Sequence, residues 1–314
     1  MAIPVIDFSK LNGEERDNTL AQIATCCEEW GFFQLVNHGI PVELLEKVKI
    51  VSSESFKKER EENFNKSTAM KLLNEMENNN SKVENEDWED VFLLTDDNEW
   101  PSNIPQFREI MKEYRSEVKN LAQRVMEVMD ENLGLPKGYI NKAFNNGEEG
   151  SKNAFFGTKI SHYPPCPNPE MVNGLRAHTD AGGVILLFQD DQVDGLQILK
   201  DGEWIDVQPI QNAIVINTGD QIEVLSNGKY KSVWHRVLAK ESGNRRSIAS
   251  FYNPSLKATI APAPQLIHVK NNKEDNKVEL ISNYPAFVFG DYMNVYSEHK
   301  FSPKEPRFQA VRAM

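Results

Sequence analysis

Short apolar segments recur between residues 154 and 254, at intervals of about 8 to 12 residues, with turn-forming residues between them. This spacing is typical of a β-sandwich or a β-barrel, and it constrains the fold more than any other feature of the chain. Asp201-Gly202 and Asn227-Gly228 are residue pairs that favour tight turns. The predicted strands are Phe155–Tyr163, Val184–Phe188, Gly195–Leu199, Trp204–Val207, Ala213–Asn217, Ser232–Ala239 and Arg246–Asn253.

The residues before 154 predict helices, because their apolar side chains recur at three- and four-residue spacing. The predicted helices run from Glu14 to Trp30, from Pro41 onwards and from Pro105 to Leu133. The tract Glu61 to Asp90, which contains Asn78-Asn79-Asn80, is rich in Glu and Asn and predicts a solvated helix and loop. The whole chain is therefore expected to be one compact unit, with helices packed on a β core.

Charge and cysteine content limit the partners of this chain. Its 35 Lys and Arg residues stand against 47 Asp and Glu, a net charge of −12, which disfavours a nucleic-acid partner. No run of 18 apolar residues predicts a membrane helix, and the N-terminus has no signal-peptide pattern. Three cysteines, Cys26, Cys27 and Cys166, fit a reducing compartment. We expect a cytoplasmic protein with no membrane partner, and a monomer.

His178, Asp180 and His235 are the candidate metal ligands. Residues two apart in a strand project to the same face, so His178 and Asp180 are expected to point the same way. His235 alternates with two valines on a predicted inward face, where a polar ring needs a partner. Two imidazoles and a carboxylate with open positions form the facial triad of non-haem Fe(II) oxygenases. By itself, His235 is equally compatible with a hydrogen-bonded core histidine.

A cationic lining is predicted beside this triad. Alternation places Arg245 and Ser247 on one strand face, where a guanidinium fork and a hydroxyl could hold a carboxylate. The same rule aligns Lys159 and Tyr163 on another strand and places Arg176 on the face of His178 and Asp180. These cations on an acidic chain indicate a small anionic substrate. Arg245 could instead form a structural ion pair at the end of a barrel. Further pocket-lining candidates are Gln189, Asn217, Ala249 and Phe251.

The order of these motifs resembles a known superfamily. His-x-Asp, a gap of 54 residues, His and then Arg-x-Ser are similar to the plant iron- and 2-oxoglutarate-dependent dioxygenases. Further matches are Asn37–Ile40, Tyr163–Pro167, Gly195–Gln197 and Ser226–Ser232. More narrowly, Gly174–Gly183, Leu187–Asp191 and Lys304–Phe308 resemble the 1-aminocyclopropane-1-carboxylate oxidases, the plant ethylene-forming family. The resemblance extends from Ile3 to Phe308.

The resemblance implies a fold that is mainly β with α, a double-stranded β-helix (jelly roll) core flanked by helices. We expect a mainly helical part at 1–153, a jelly-roll catalytic core at 154–254 and a closing segment at 255–314. The implied reaction oxidises 1-aminocyclopropane-1-carboxylate with O2 and ascorbate to ethylene, cyanide and CO2 at Fe(II), the last step of ethylene biosynthesis. CO2 or bicarbonate is the implied activator. The family does not use 2-oxoglutarate, although its Arg-x-Ser pair persists.

The C-terminal segment predicts a helix from Phe287 to Tyr296 and, after the interruptions at Pro303 and Pro306, a short helix from Arg307. The resemblance implies that this segment helps to close the mouth of the barrel over the iron, either as a lid or by orienting ascorbate and the activator. Its candidate closure residues are Lys300, Lys304, Glu305 and Arg307.

Three other functions compete with this interpretation. An ordinary 2-oxoglutarate-dependent dioxygenase that acts on a plant hormone or a flavonoid would carry the same metal triad. A non-catalytic jelly-roll protein could hold a structural metal, although structural zinc sites usually have four protein ligands. A zinc hydrolase also uses three ligands, but no general base is evident near the triad.

Overall fold

Two β-sheets pack against each other at the centre of the protein. The structure is a computed structural model that describes residues 2–57, 59–77, 82–148, 153–272 and 277–312. In the described residues the larger sheet has seven strands in the order β1-β2-β9-β6-β11-β4-β3, and the smaller has four in the order β5-β10-β7-β8. Apolar side chains from both sheets, among them Phe32, Val215, Leu196 and Ile198, form a shared core. The strands of the two sheets are β1 Val5–Asp7, β2 Phe32–Val36, β3 Asp90–Leu94, β4 Phe155–Tyr163, β5 Asn173–His178, β6 Val184–Gln189, β7 Leu196–Lys200, β8 Glu203–Asp206, β9 Ile214–Thr218, β10 His235–Leu238 and β11 Arg245–Asn253.

Helices pack on the larger sheet and on one another. They are α1 Arg16–Thr25, α2 Val42–Glu54, α3 Glu59–Phe64, α4 Thr68–Glu77, α5 Phe107–Asn132, α6 Tyr139–Phe144, α7 Asp220–Leu225, α8 Phe289–His299 and α9 Glu305–Arg312. The longest, α5, contacts β6 and β11 and buries a stripe that includes Met111, Tyr114 and Val118. None of the helices in the described residues is both long and apolar enough to span a bilayer.

The three helices predicted before residue 154 are confirmed as α1, α2 and α5. After α1 the chain continues as a π-helical turn, Cys26–Trp30, and stops at Gly31, whose φ is 62°. A Cβ atom at this position would lie 2.4 Å from the carbonyl oxygen of Lys231. Only glycine avoids both the left-handed strain and this clash, so Gly31 fixes the passage from helix into β2.

The expectation of a continuous strand through the first two candidate ligands is wrong. β5 ends at His178, and Asp180 lies beyond the strand in the following loop. The predicted strand Ser232–Ala239 is also shortened, because β10 begins at His235. The backbone N–H of Ser232 donates to the Glu223 side chain instead of to a neighbouring strand.

The tract Glu61 to Asp90 is only partly the solvated segment that its composition predicts. It contains most of α3 and all of α4, and the side chains of Leu73 and Trp88 are fully buried. Trp88 donates its indole N–H to the carbonyl of Pro164 and so ties the tract to the β core. The residues Asn78, Asn79 and Asn80 lie outside the described residues.

The described residues after β11 form two small two-stranded sheets and the last two helices. The pairs are β12 Thr259–Ile260 with β15 Phe287–Val288, and β13 His268–Asn272 with β14 Lys277–Ile281. Helix α9 begins at Glu305, two residues before the predicted start. Pro306 lies in its first turn, where the missing N–H has no intrahelical partner to lose.

Candidate metal centre

Three side chains converge where the smaller sheet meets the loop after β5. His178 is the last residue of β5, His235 is the first residue of β10, and the two stand opposite each other in the antiparallel pair. Their ring centroids are 4.3 Å apart. Asp180 Oδ1 lies 3.7 Å from His178 Nε2, and Asp180 Oδ2 lies 3.5 Å from His235 Nε2.

Backbone carbonyls fix the orientation of both imidazoles. His178 Nδ1 lies 2.9 Å from the carbonyl of Arg176, and His235 Nδ1 lies 3.1 Å from that of Val233. These contacts favour the proton on Nδ1 and leave Nε2 free as a ligand atom. Burial, with the neighbouring His235 and Lys300, holds the pKa of His178 well below its ordinary value. The ring is therefore neutral, as metal binding requires.

The carboxylate of Asp180 is also held in place. Asn217 Nδ2 donates to Asp180 Oδ2 over 2.8 Å, and the Asp180 side chain is only 10% exposed. Ligand atoms of the three residues all lie within 4.8 Å of one another, and they form a group that could hold a metal ion. Two imidazole nitrogens and one carboxylate oxygen fit the donor set of a non-haem Fe(II) site.

Hydrogen bonds from the N-terminal end of α7 hold the loop that carries Asp180. The backbone N–H of Asp220 donates to the carbonyl of Asp180 over 2.8 Å, and that of Gly219 donates to Gly183 over 2.7 Å. Gln221 Nε2 donates to the carbonyl of Ala181. These bonds fix the backbone of the loop, and Asn217 of β9 fixes the carboxylate itself.

A cavity of about 410 Å³ opens onto the three candidate ligands. Eight of the other predicted site residues lie in its wall: Lys159, Tyr163, Asn217, Arg245, Ser247, Ala249, Phe251 and Lys300. The pairing of β4 with β11 sets Tyr163 opposite Arg245 and Ser161 opposite Ser247, so strand alternation predicts the lining correctly here. Gln189 contacts Arg245 and is not among the residues of this wall.

Arg245 is the most deeply buried cation of the cavity, with 2% of its surface exposed. Its Nη2 donates to Gln189 Oε1 over 3.1 Å, whereas Nε and Nη1 have no hydrogen-bond partner in the described part of the chain. The structure gives Arg245 no ion pair among the described residues, so the alternative of a structural pair has no support there. Burial lowers the pKa of Arg245. Two buried, unsatisfied N–H donors favour an anionic ligand.

The other two predicted cations have carboxylate partners within the protein. Lys159 Nζ lies 2.7 Å from Glu89 Oε1, and Arg176 Nε lies 2.9 Å from Asp87 Oδ1. Arg176 also stacks on Phe301, with its guanidinium carbon 3.8 Å from the ring centroid, and it is not among the residues of the cavity wall. The prediction that it lines the pocket is therefore wrong. The alternation Asp87-Trp88-Glu89 around a buried tryptophan was the available signal for these missed carboxylates.

The C-terminal closure residues take different places. Lys300 lies in the cavity wall, and Glu305 is exposed at the start of α9. Lys304 Nζ donates to Glu223 Oε2 over 2.7 Å and to the carbonyl of Ser232 over 2.6 Å. Arg307 Nη2 donates to Thr179 Oγ1 over 2.7 Å. Lys304 and Arg307 therefore contact the segments that lead to the candidate ligands and do not line the mouth of the cavity.

Comparison with known proteins agrees with this geometry. The family model of the 2OG-Fe(II) oxygenase superfamily matches residues 154–254, and that of the non-haem dioxygenase in morphine synthesis N-terminal matches residues 3–113. A crystal structure of JOX2 in complex with 2OG, Fe and JA superposes with a TM-score of 0.76 at 33% identity, over 99% of this chain and 89% of the other. Fold and site thus define a non-haem iron oxygenase, and the predicted jelly-roll class is confirmed.

Curated relatives narrow the class. The chain is 70% identical to 1-aminocyclopropane-1-carboxylate oxidase 5 of Arabidopsis thaliana and 66% identical to 1-aminocyclopropane-1-carboxylate oxidase of Musa acuminata, each over all of both chains. The chain belongs to the 1-aminocyclopropane-1-carboxylate oxidase family, and it is an Fe(II)-binding oxidoreductase.

Proposed function

We propose that this enzyme oxidises 1-aminocyclopropane-1-carboxylate to ethylene, cyanide and CO2, with O2 and ascorbate as co-substrates and CO2 or bicarbonate as activator. One observation carries the proposal: a buried His-Asp-His group shares a cavity with an arginine, two of whose donors have no partner among the described residues. The names of the relatives supply the substrate. A small amino acid with one carboxylate has the size and charge for this cavity.

His178, Asp180 and His235 are the proposed ligands of Fe(II). The bound metal would supply the one-electron chemistry that activation of O2 requires. The protein's own part is to hold three ligand atoms on one side of the cavity, through the two carbonyl contacts of the imidazoles and the bond from Asn217. The opposite side then remains accessible to the substrate. The apolar side chains of Phe251 and Ala249 exclude water beside it.

Arg245 and Ser247 are proposed to bind a small anion, either bicarbonate or the carboxylate of the substrate or of ascorbate. The buried guanidinium offers two donors, and the Ser247 side chain lies in the same wall. Tyr163 packs against the guanidinium, with 5.1 Å between the Arg245 guanidinium carbon and the ring centroid, and so limits its movement. Lys300 contributes the second positive charge of the wall.

The C-terminal segment is proposed to complete the site in two ways: one residue lines the cavity, and two residues support the backbone beside the candidate ligands. Lys300 faces the cavity, whereas Lys304 and Arg307 brace the backbone next to the candidate ligands. We further propose a cytoplasmic monomer with the parts 1–153, 154–254 and 255–314. Cys26 and Cys27 are buried and form no disulfide within the described residues, which suits a reducing compartment.

The test is headspace ethylene from purified protein supplied with Fe(II), ascorbate, bicarbonate and the amino acid, with each component left out in turn. We expect ethylene only from the complete mixture, with a residual rate when bicarbonate is omitted. A parallel assay adds 2-oxoglutarate and measures succinate. Succinate formation without ethylene would reject the proposal in favour of an ordinary 2-oxoglutarate-dependent dioxygenase.

A further inference from the structure

Glu89, from the N-terminal part of the chain, contacts Lys159, a residue of the cavity wall. β3 pairs with β4 so that Leu93 stands opposite Lys159 and Val91 opposite Ser161. Side chains two apart share a face, so Glu89, one residue before β3, falls on the face of Leu93 and Lys159. Leu93 and Lys159 both line the cavity.

The carboxylate of Glu89 holds the ammonium of Lys159. Glu89 Oε1 lies 2.7 Å from Lys159 Nζ, and the two side chains are only 11% and 19% exposed. Glu89 Oε2 is buried and has no hydrogen-bond partner among the described residues. A pair this sheltered from water interacts more strongly than an exposed one, because less solvent screens its charges.

This pair changes the charge that a ligand meets. Of the cations in the cavity wall, Lys159 is compensated by Glu89, whereas Arg245 and Lys300 form no ion pair within the described ranges. Arg176 is compensated by Asp87 away from the wall. Among the described residues, the cavity therefore presents two uncompensated cations, Arg245 and Lys300, beside the candidate metal ligands.

We infer that Glu89 determines ligand specificity as a positioning residue: it anchors Lys159 Nζ at the wall and cancels its charge, so that the cavity favours a ligand with one carboxylate over a dicarboxylate. The inference rests on the proposed function for the identity of that ligand, an amino acid. Without Glu89, the Lys159 ammonium would be free to bind a second carboxylate. Glu89 would then act through Lys159 and would not contact the substrate.

The experiment compares two four-carbon acids, succinate and butyrate, which differ in one carboxylate. Their affinities are measured by isothermal titration on the full chain loaded with Fe(II) under nitrogen, so that no turnover occurs. For Glu89→Gln we expect succinate to bind about tenfold more tightly and butyrate about threefold, because the uncompensated charge acts on two carboxylates in one acid and on one in the other. The ratio of the two affinities is the readout.

Two matched variants control for effects other than local charge. Asp87→Asn removes one negative charge from the same segment, but from a pair outside the wall, so the ratio should remain at the wild-type value. Glu89→Gln combined with Lys159→Met should also return it to that value. If Glu89→Gln does not fold by circular dichroism, Lys159→Met alone leaves Glu89 uncompensated and should weaken succinate about tenfold.

An unchanged affinity ratio in a folded Glu89→Gln protein, or the same change in Asp87→Asn, would overturn the inference. Ethylene output of the wild-type protein is recorded separately. Absence of ethylene with the expected change in ratio would reject the proposed reaction and leave the role of Glu89 intact. Ethylene formation with no change in the affinity ratio would support the proposed reaction and reject the role of Glu89.

Discussion

Replacement of Arg307 by methionine is the most informative test of how the C-terminal helix supports the metal centre. Arg307 Nη1 lies 3.6 Å from Asp220 Oδ2, and both side chains are fully buried. Arg307 also donates to Thr179, the residue between the candidate ligands His178 and Asp180. Methionine preserves much of the volume of the side chain but leaves the Asp220 carboxylate without its counter-charge.

The expected cost follows from this geometry. Removal of one partner from a buried ion pair costs about 3–5 kcal/mol, since the other charge stays desolvated. Unfolding entropy of about 2.1 cal/mol/K per residue, applied to 314 residues, gives about 0.66 kcal/mol per degree near the melting temperature. We therefore expect Arg307→Met to lower the melting temperature by roughly 5–8 °C.

The dependence of this cost on pH has a defined sign. Burial already raises the pKa of Asp220, while Arg307 opposes that shift. Without Arg307 the pKa rises further, and a raised acid pKa in the folded state means that stability is lost as the pH rises. The penalty of Arg307→Met should therefore shrink as the pH is lowered.

The assays are thermal unfolding, which gives the melting temperature, and urea unfolding, which gives the free energy of unfolding. Both are followed by circular dichroism at several pH values, with Fe(II) affinity measured on the same samples. The double variant Arg307→Met with Asp220→Asn serves as the control, because it removes both charges and should recover much of the loss. A penalty below about 1 kcal/mol, or a double variant that is no more stable than Arg307→Met, would refute this reasoning.

Three further predictions concern single side chains. His235→Ala should abolish both Fe(II) binding in equilibrium dialysis and ethylene formation, and retained iron-dependent turnover would contradict the ligand assignment. Arg245→Lys keeps the charge but loses the guanidinium fork. The bicarbonate or substrate concentration that gives half-maximal rate should therefore rise about tenfold in steady-state kinetics. An unchanged dependence on both would count against an anion at Arg245. Burial raises the pKa of Asp130 to about 6, although its carboxylate accepts from Gly138 and Ile140. Asp130→Asn should have a lower free energy of unfolding in urea than the wild type, and this difference should shrink as the pH rises from about 4 to about 6. A difference that grows over this range would contradict the raised pKa.

Local regularities made part of the site predictable. Strand alternation correctly groups Lys159 with Tyr163 on β4 and Arg245 with Ser247 on β11, because successive side chains of any strand point to opposite faces. It failed for Asp180, which lies in a loop. That loop is shaped by hydrogen bonds from the N-terminal turn of α7, about 40 residues further along the chain. No pattern within the loop itself predicts such bonds.

Periodicity and short-range spacing were enough to predict the β core, the long helices and the identity of the candidate ligands. Which charges remain uncompensated in the cavity depends instead on contacts between distant parts of the chain. Lys159 finds its carboxylate 70 residues away, and Arg307 reaches a hydroxyl 128 residues away. Such pairs form because a buried charged or polar group without a partner is costly, so it pairs with a side chain that the fold brings near. The distance between the two residues along the chain does not enter this cost.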